Sequence, residues 1–328
     1  MKKLSFWAVA LMFAASTAGA SVRISDLDDS GINVNRIVKK VPAAKPVTLA
    51  PAEAETLTKL ILKERSDSEI WLQTSPTSYL AAIARRDIGD RRTLSVGSDG
   101  SNEVRLDDPA VLTRHLRITV VGDSFRVESL DPAATFVVSG DSLRSAVLAP
   151  GTIRVGRFTL RLSHQRYPAV IVFDPQSPRF AEYKGLRWFP VDLRMRFAAP
   201  LTANPEPDTV YITSTHSEPR QALRAGWFVL SVGGKRSVLE ATRLIEPGVG
   251  ENALSVFFRD GTTGKDSYEV GRYLDPERRD DGTYVLDFNN AYNPACAVSP
   301  HYNCPIPPKF NKLKVAIRAG EMDHKYVK

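Results

Sequence analysis

Short segments of alternating polar and apolar residues run through most of this chain from about Tyr79 onward. Residues 116–120 and 158–162 are two examples, and turn-forming pairs such as Gly-Asp, Asp-Pro and Pro-Gly separate the segments. A period of two places every second side chain on one face of a strand. Many short strands at this spacing predict a β-sandwich or barrel. Because the pattern continues beyond Tyr183, the sequence predicts a mostly β chain with two antiparallel β modules.

A helix is predicted before the strands, because Ala54, Leu57, Leu60, Ile61 and Trp71 recur at helical spacing. Pro51 stands where it suits a helix start. The predicted segments are a signal peptide over 1–20, a flexible lead over 21–52, the helix over 53–73, a first β-sandwich over 76–166, a linker over 167–182, a second β domain over 183–322 and a tail over 323–328.

The amino terminus has the pattern of a secretory signal peptide. Lys2 and Lys3 precede an apolar stretch that ends in small residues, with cleavage expected after Ala20. The apolar stretch is shorter than the roughly 20 residues that a membrane-spanning helix needs. We therefore expect a periplasmic protein without a membrane span.

The charge pattern does not indicate nucleic-acid binding. The chain has 44 basic and 37 acidic residues, and its basic residues form no long block. The modest basic excess is compatible with attraction to an anionic envelope polymer. Alternation over residues 312–318 predicts a strand with one exposed face.

The order of motifs in the first β module resembles a forkhead-associated (FHA) domain, over residues 96–106, 112–115, 122–127 and 149–156. This resemblance implies a β-sandwich. In such phosphopeptide readers an arginine follows the first glycine, whereas Ser98 follows Gly97 here, and Asp-Pro-Ala-Ala replaces a later Asn-Gly. Serine lacks the charged, bidentate fork that grips phosphate. Phosphopeptide binding is therefore not expected, and His115 is interpreted as a structural histidine under a loop.

Polar and aromatic residues become dense between Phe257 and Glu321. These segments resemble a bacterial and archaeal family known as domain of unknown function 1684, and the resemblance extends over roughly 71–321. It implies a shared fold and a shared site. The resemblance implies no particular activity, substrate or cofactor.

Seven residues in this region are candidates for ligand binding: Asp260, Thr263, Tyr268, Arg272, Asp287, Asn289 and Asn293. In one interpretation they line a polar pocket for an anionic or polyhydroxylated ligand, with Arg272 as the anion clamp. In this interpretation Asp287 and Asn289 share a strand face, and the loop over 292–308 covers the pocket. In the other, Asp260 and Thr263 shape a turn and Arg272 pairs with Asp287 inside the sheet.

Cys296 and Cys304 are the only cysteines and lie in a proline-rich loop. In an oxidising compartment we expect a disulfide between them, which would contribute about 2–3 kcal/mol by the chain-entropy estimate. The alternative is a hydrolase or transferase that uses Cys304 with His301, with Asp287 nearby in sequence. The spacing of these cysteines and histidines does not indicate a metal site.

No cofactor is implied by the motifs. Residues 231–234 fit a hairpin turn better than a phosphate-binding loop, and the Gly-x-Ser-x-Gly pattern of esterases is absent from the sequence. The leading hypothesis is a periplasmic protein that binds a small or polymeric envelope ligand, or a protein partner, through a polar carboxyl-terminal pocket. The hydrolase or transferase and a purely structural interaction module remain as alternatives.

Overall fold

A computed structural model describes residues 32–165, 167–216 and 218–324. The chain divides into two units, residues 1–40 and 41–328. In the first unit the described part contains α1 (Val34–Val38), where the side chain of Asn33 accepts a hydrogen bond from the Arg36 N–H at 3.0 Å. The predicted signal peptide lies outside the described residues.

The second unit opens with the long helix α2 (Pro51–Thr74). Pro51 occupies the first turn, where the missing N–H costs nothing, and the Glu53 side chain accepts from the backbone N–H of Ala50 at 2.9 Å. The helix was predicted, but its packed side is narrower than the pattern indicated. Ile61 and Leu72 are buried, whereas Leu60 is 49% exposed. Within the described residues no helix is both long enough and apolar enough to cross a membrane.

A β-sandwich follows the helix, as predicted. Its strands are β1 (Ala82–Asp87), β2 (Thr93–Gly97), β3 (Val104–Arg105), β4 (Leu116–Val121), β5 (Ser124–Ser129), β6 (Phe136–Val138), β7 (Asp141–Leu143), β8 (Ser145–Leu148), β9 (Gly151–Val155), β10 (Phe158–Gln165) and β11 (Tyr167–Phe173). One sheet has the order β1-β11-β10-β9-β6-β7, and the other has the order β3-β2-β4-β5-β8. The inward residues of both sheets, such as Phe125 and Phe136, form one apolar core.

The linker predicted over 167–182 is wrong in its first half. Residues 167–173 form β11, which pairs antiparallel with β1 and β10. Four consecutive apolar residues from Val170 to Phe173 are buried, as befits a strand inside a sheet that is covered on both faces. The short helix α3 (Arg179–Glu182) then leads into the second β module.

The second module contains several small antiparallel sheets. Its strands are β12 (Arg196–Pro200), β13 (Thr202–Ala203), β14 (Thr209–Ile212), β15 (Arg220–Val232), β16 (Lys235–Leu244), β17 (Val256–Phe258), β18 (Arg272–Leu274), β19 (Glu277–Arg278) and β20 (Thr283–Asp287). The long hairpin β15–β16 closes at Gly233 and Gly234, which both have positive φ, so the predicted hairpin turn is confirmed. Phe228, Phe258 and Phe288 belong to the core of this module.

The strand predicted over 312–318 is wrong. Leu313 and Ile317 are buried and the residues between them are more exposed, as the alternation indicated. The segment is nevertheless irregular, with one isolated bridge from Lys312 to Arg259. Its backbone instead bonds to the loop that follows β17: the Leu313 N–H donates to the Arg259 oxygen, the Val315 oxygen accepts from the Gly261 N–H, and the Ile317 N–H donates to the Asp260 carboxylate. This loop contains several of the candidate residues.

Candidate functional site

Arg272 is fully buried and holds the carboxyl-terminal segment in place. Its guanidinium donates to the backbone oxygens of Ala319, Glu321 and Ile317, the last at 2.8 Å. It also lies 3.4 Å from a carboxylate oxygen of Asp260. With 0% of its surface exposed, Arg272 cannot reach a ligand, so its predicted role as an anion clamp is wrong. Burial lowers the pKa of Arg272, and the charge of Asp260 opposes that shift.

Asp260 and Thr263 shape the loop between β17 and β18. The Asp260 carboxylate accepts from the hydroxyls of Thr262 and Thr263, at 2.9 and 3.1 Å, and from the backbone N–H of Ile317 at 2.6 Å. All of these hydrogen-bond partners are groups of the protein itself. The turn-forming interpretation therefore describes these two residues, although the ion-pair partner of Arg272 is Asp260 and not Asp287.

Asp287 pairs with Arg196 instead, at 2.6 Å, because the two residues stand opposite each other where β12 pairs with β20. The strand ends at Asp287, so Asn289 does not continue its face as predicted. Asn289 lies in a 3₁₀ turn, donates to Asp287 at 2.8 Å and binds the backbone of Asp192. Asp287 and Arg196 border a small pocket of about 180 Å³.

Cys296 and Cys304 are buried free cysteines, and the predicted disulfide is absent from the structure because their sulfurs are not at bonding distance. Cys296 lies in a 3₁₀ turn, and its backbone N–H donates to the Cys304 sulfur at 3.3 Å. The Tyr268 hydroxyl donates to the carbonyl oxygen of Cys296 at 3.4 Å. Tyr268 therefore packs against the cysteine pair.

The geometry does not bring together the proposed pair of Cys304 and His301. The hydrogen bond to Cys296 and burial raise the pKa of the Cys304 thiol well above its usual value, which keeps it protonated. Burial lowers the pKa of His301. In the described part of the chain, no hydrogen bond or ion pair joins His301 to Cys304. Nor do the described residues contain a cluster of three or more side chains able to hold a metal ion.

Asn293 is the candidate residue that faces a large cavity. The cavity has a volume of about 390 Å³ and lies between α2, residues 186–188 and the carboxyl-terminal segment. Its walls are mainly apolar, with four aromatic side chains, three aliphatic ones and, among the polar residues, Asn293 and Glu321; the aromatic residues are Trp71, Tyr79, Trp188 and Tyr292. The rings of Trp71 and Tyr79 meet edge to face with centroids 5.0 Å apart.

Asn293 and Glu321 are the buried polar residues of this cavity, and the exposed Asp67 and Ser68 also line it. The Asn293 backbone N–H donates to the Glu321 carboxyl at 2.8 Å, and its amide nitrogen donates to the backbone oxygen of Met322 at 2.8 Å. The amide oxygen of Asn293 is buried and has no hydrogen-bond partner. An unpaired buried acceptor carries a free-energy cost of about 1–3 kcal/mol.

Glu321 is 5% exposed, and burial raises its pKa to about 8. The backbone N–H of Asn293 and the charge of Arg272 oppose this shift, whereas the charge of Glu69 adds to it. His324 Nδ1 lies 3.3 Å from the other oxygen of the carboxyl, and burial lowers the pKa of His324 to about 4. Near neutral pH the Glu321 carboxyl is therefore mostly protonated beside a neutral imidazole.

Gly320 sets the position of Glu321. Its φ of +80° lies in the left-handed region, and an added Cβ would stand 2.5 Å from the backbone oxygen of Ala291. On its other side the Gly320 oxygen accepts from the backbone N–H of Phe189 at 2.9 Å. The turn directs the glutamate side chain at the cavity.

The aromatic walls and Glu321 were not among the predicted site residues. Trp71 is 39% exposed on a helix whose pattern placed it on the packed side, and an exposed tryptophan is the signal that could have indicated a binding surface. Glu321 follows a glycine near the end of the dense polar region, which is a weaker signal.

In the sandwich, His115 has a structural role, as interpreted from the sequence. Its Nδ1 accepts from the Leu112 N–H at 3.1 Å, and its Nε2 donates to the Thr135 carbonyl at 2.8 Å. Asn102 bonds the backbone oxygens of Asp99 and Thr113 across the adjacent loops. Both side chains fix loops, and neither ring nitrogen of His115 is left for a ligand.

Comparison with known proteins agrees with both resemblances. Residues 181–322 match the family model described as "Protein of unknown function (DUF1684)", and residues 94–156 match the FHA domain. An uncharacterized protein of Haloarcula marismortui, solved by NMR, is 33% identical over 45% of this chain and 80% of that one, with a TM-score of 0.36. No curated protein gives a significant match.

Solved structures that contain FHA domains are also similar to part of this chain. The FHA domain of FhaA, in complex with the intracellular domain of another protein, is 25% identical over 24% of this chain and 78% of that one, with a TM-score of 0.19. EmbR of Mycobacterium tuberculosis, in complex with a low-affinity phosphopeptide, is 17% identical over 44% of this chain and 38% of that one, with a TM-score of 0.20. On the family matches and the 33% identical relative, the chain belongs to the DUF1684 family and has an FHA-like β-sandwich ahead of the family's domain.

Proposed function

We propose that this protein binds a small organic ligand in the aromatic cavity beside α2. The observation that carries the proposal is the cavity itself, which has four aromatic side chains in its wall beside the buried polar residues Asn293 and Glu321. A pocket that is mainly apolar and has a few polar groups is typical of small-molecule sites. A cavity of about 390 Å³ is large enough for a ligand with a ring or a short chain.

Fluorescence titration tests this proposal directly, because Trp71 and Trp188 are both in the wall. We would titrate the protein with 2-phenylethylamine, 2-phenylethanol and phenylacetate, and with hexylamine, 1-hexanol and hexanoate. Saturable binding of at least one compound is expected, and Trp71→Ala should weaken it. Tyr211→Ala is the matched control, because Tyr211 is 57% exposed and does not line the cavity. If none of the six compounds binds at millimolar concentration, or if both variants bind like the wild type, the proposal fails.

We further propose that the protein works in the periplasm, after removal of residues 1–20. The support is the arrangement of Lys2, Lys3, the apolar stretch and the small residues before Ser21. Cell fractionation with amino-terminal sequencing of the mature protein tests this. A mature chain that starts at Ser21 in the periplasmic fraction is expected, and an uncleaved cytoplasmic chain would refute it.

A protein partner for the sandwich is a second candidate function, supported by the match of residues 94–156 to the FHA domain. Ser98 stands where phosphopeptide readers have an arginine, so we propose a partner that is not recognised through phosphate. Cross-linking in the native cell tests this. A partner captured equally before and after phosphatase treatment is expected, and one lost on treatment would contradict the proposal.

A further inference from the structure

The cavity beside α2 offers no counter-charge to an anion. None of the described residues in its wall is a lysine, an arginine or a histidine. Arg65 lies near the wall, 4.8 Å from the ring centre of Trp188, but two of its nitrogens donate to backbone oxygens. Arg272 is fully buried and pairs with Asp260. A bound anion would therefore lose its water without gaining a cationic partner.

The two acids of the wall are equally unsuited to a cation, because both are already engaged. Asp67 is exposed and forms an ion pair with Lys63, one helical turn away. Glu321 is buried, and one of its oxygens accepts from the Asn293 N–H at 2.8 Å while the other lies 3.3 Å from His324 Nδ1. A bound cation would therefore find no carboxylate free to pair with it.

The hydrogen-bond donors that remain in the wall are uncharged. The indole N–H groups of Trp71 and Trp188 and the hydroxyl of Tyr79 have no partner among the described residues. Burial raises the pKa of Tyr79 to about 12, so its hydroxyl keeps its proton at neutral pH. Such groups suit the oxygen of an alcohol or a carbonyl, which needs no counter-charge.

The rest of the wall is apolar, because Leu72, Leu186 and Val298 complete it beside the four rings. Moving an ionised group out of water without a partner costs far more free energy than moving a hydroxyl. From the missing cation, the engaged acids and the apolar lining, we infer that the ligand is an uncharged molecule with an apolar body and at most neutral polar groups such as a hydroxyl. This inference rests on the proposed function and specifies the class of its ligand.

The six compounds named above test the inference with the wild-type protein, because each set of three shares one body and differs in charge. At pH 7 each alcohol should bind at least about tenfold more tightly than the amine and the acid of its set. Aromatic rings attract cations, which makes the amines the most demanding comparison. If an amine or an acid binds as tightly as its alcohol, or more tightly, the inference is overturned while the proposed function stands. If no compound binds, both fail.

The variant Ser68→Lys supplies the cation that the wall lacks. Ser68 is exposed on α2 and lines the cavity, so a lysine can be placed there without burial. Phenylacetate and hexanoate should bind this variant about threefold more tightly than the wild type, the effect of one exposed ion pair, while the alcohols bind as before. Ser66→Lys is the matched control, because Ser66 is exposed on the same helix and does not line the cavity. Equal affinity of the acids for the two variants would show that the missing cation does not set the preference and would overturn the inference.

Discussion

Replacement of Arg272 by methionine should unfold the carboxyl-terminal module far more readily than an equivalent change at the surface. Arg272 is fully buried, forms an ion pair with Asp260 and donates to the backbone oxygens of Ile317, Ala319 and Glu321. Removal of one partner from a buried pair leaves the other charge uncompensated and costs about 3–5 kcal/mol of unfolding free energy.

Arg318→Met is the matched control. Arg318 pairs with Asp266 at 2.9 Å, but its side chain is 65% exposed, and exposed ion pairs contribute about 0–1 kcal/mol. Both changes remove one cation from the same region, so the difference between them measures the effect of burial. The expected difference is at least about 2 kcal/mol, the gap between these two ranges.

Urea unfolding followed by tryptophan fluorescence measures this difference in the relevant part of the chain. Beyond the predicted signal peptide, the tryptophans are Trp71, Trp188 and Trp227, and residues 76–173 contain none. The fluorescence therefore reports on the carboxyl-terminal module and α2 rather than on the sandwich. Equal midpoints and slopes for the two variants would refute the reasoning that Arg272 is structural.

Three more outcomes are expected. Gly320→Ala should lower the unfolding free energy by about 1–3 kcal/mol, because the residue keeps a left-handed backbone, and an unchanged melting temperature would contradict this. The pKa of Glu321 is raised to about 8, so the folded protein holds a proton that the unfolded chain releases. Unfolding free energy should therefore fall as the pH rises from about 6.5 to about 8, by up to about 1.4 kcal/mol per pH unit, and Glu321→Gln should flatten the slope in urea titrations. Cys296 and Cys304 are buried, so a thiol reagent should detect neither in the folded, reduced protein and both after denaturation; rapid reaction in the folded state would show that the loop opens.

The mostly β fold could be predicted because alternation is a local signal. The alternation over residues 116–120 predicts that every second side chain faces the core. In the sandwich Leu116 and Ile118 are buried, whereas Arg117 between them is exposed. The strand over 167–173 was missed because its prolonged apolar run has no alternation and a proline near its start. A strand covered on both faces loses the pattern by which strands are found.

The site was harder to predict because it depends on which distant segments meet. Asp287 pairs with Arg196 rather than with Arg272 because the register of β12 and β20 places them opposite each other, and no local pattern specifies that register. The cavity likewise combines Trp71 from a helix with Trp188 and Glu321 from loops far along the chain. Polar residue types identified the region, but the contacts separated the structural residues from those that face the cavity.

The contacts of Arg65 and Arg272 have a consequence for how the chain is made. Arg65 donates to the backbone oxygens of Phe189 and Asn289, and Arg272 donates to those of residues 317–321. Both arginines leave the ribosome long before their acceptors do. Helix α2 therefore cannot form all of its hydrogen bonds to the second module until most of the polypeptide has been synthesised. The β-sandwich, in contrast, can fold as soon as its own strands have emerged.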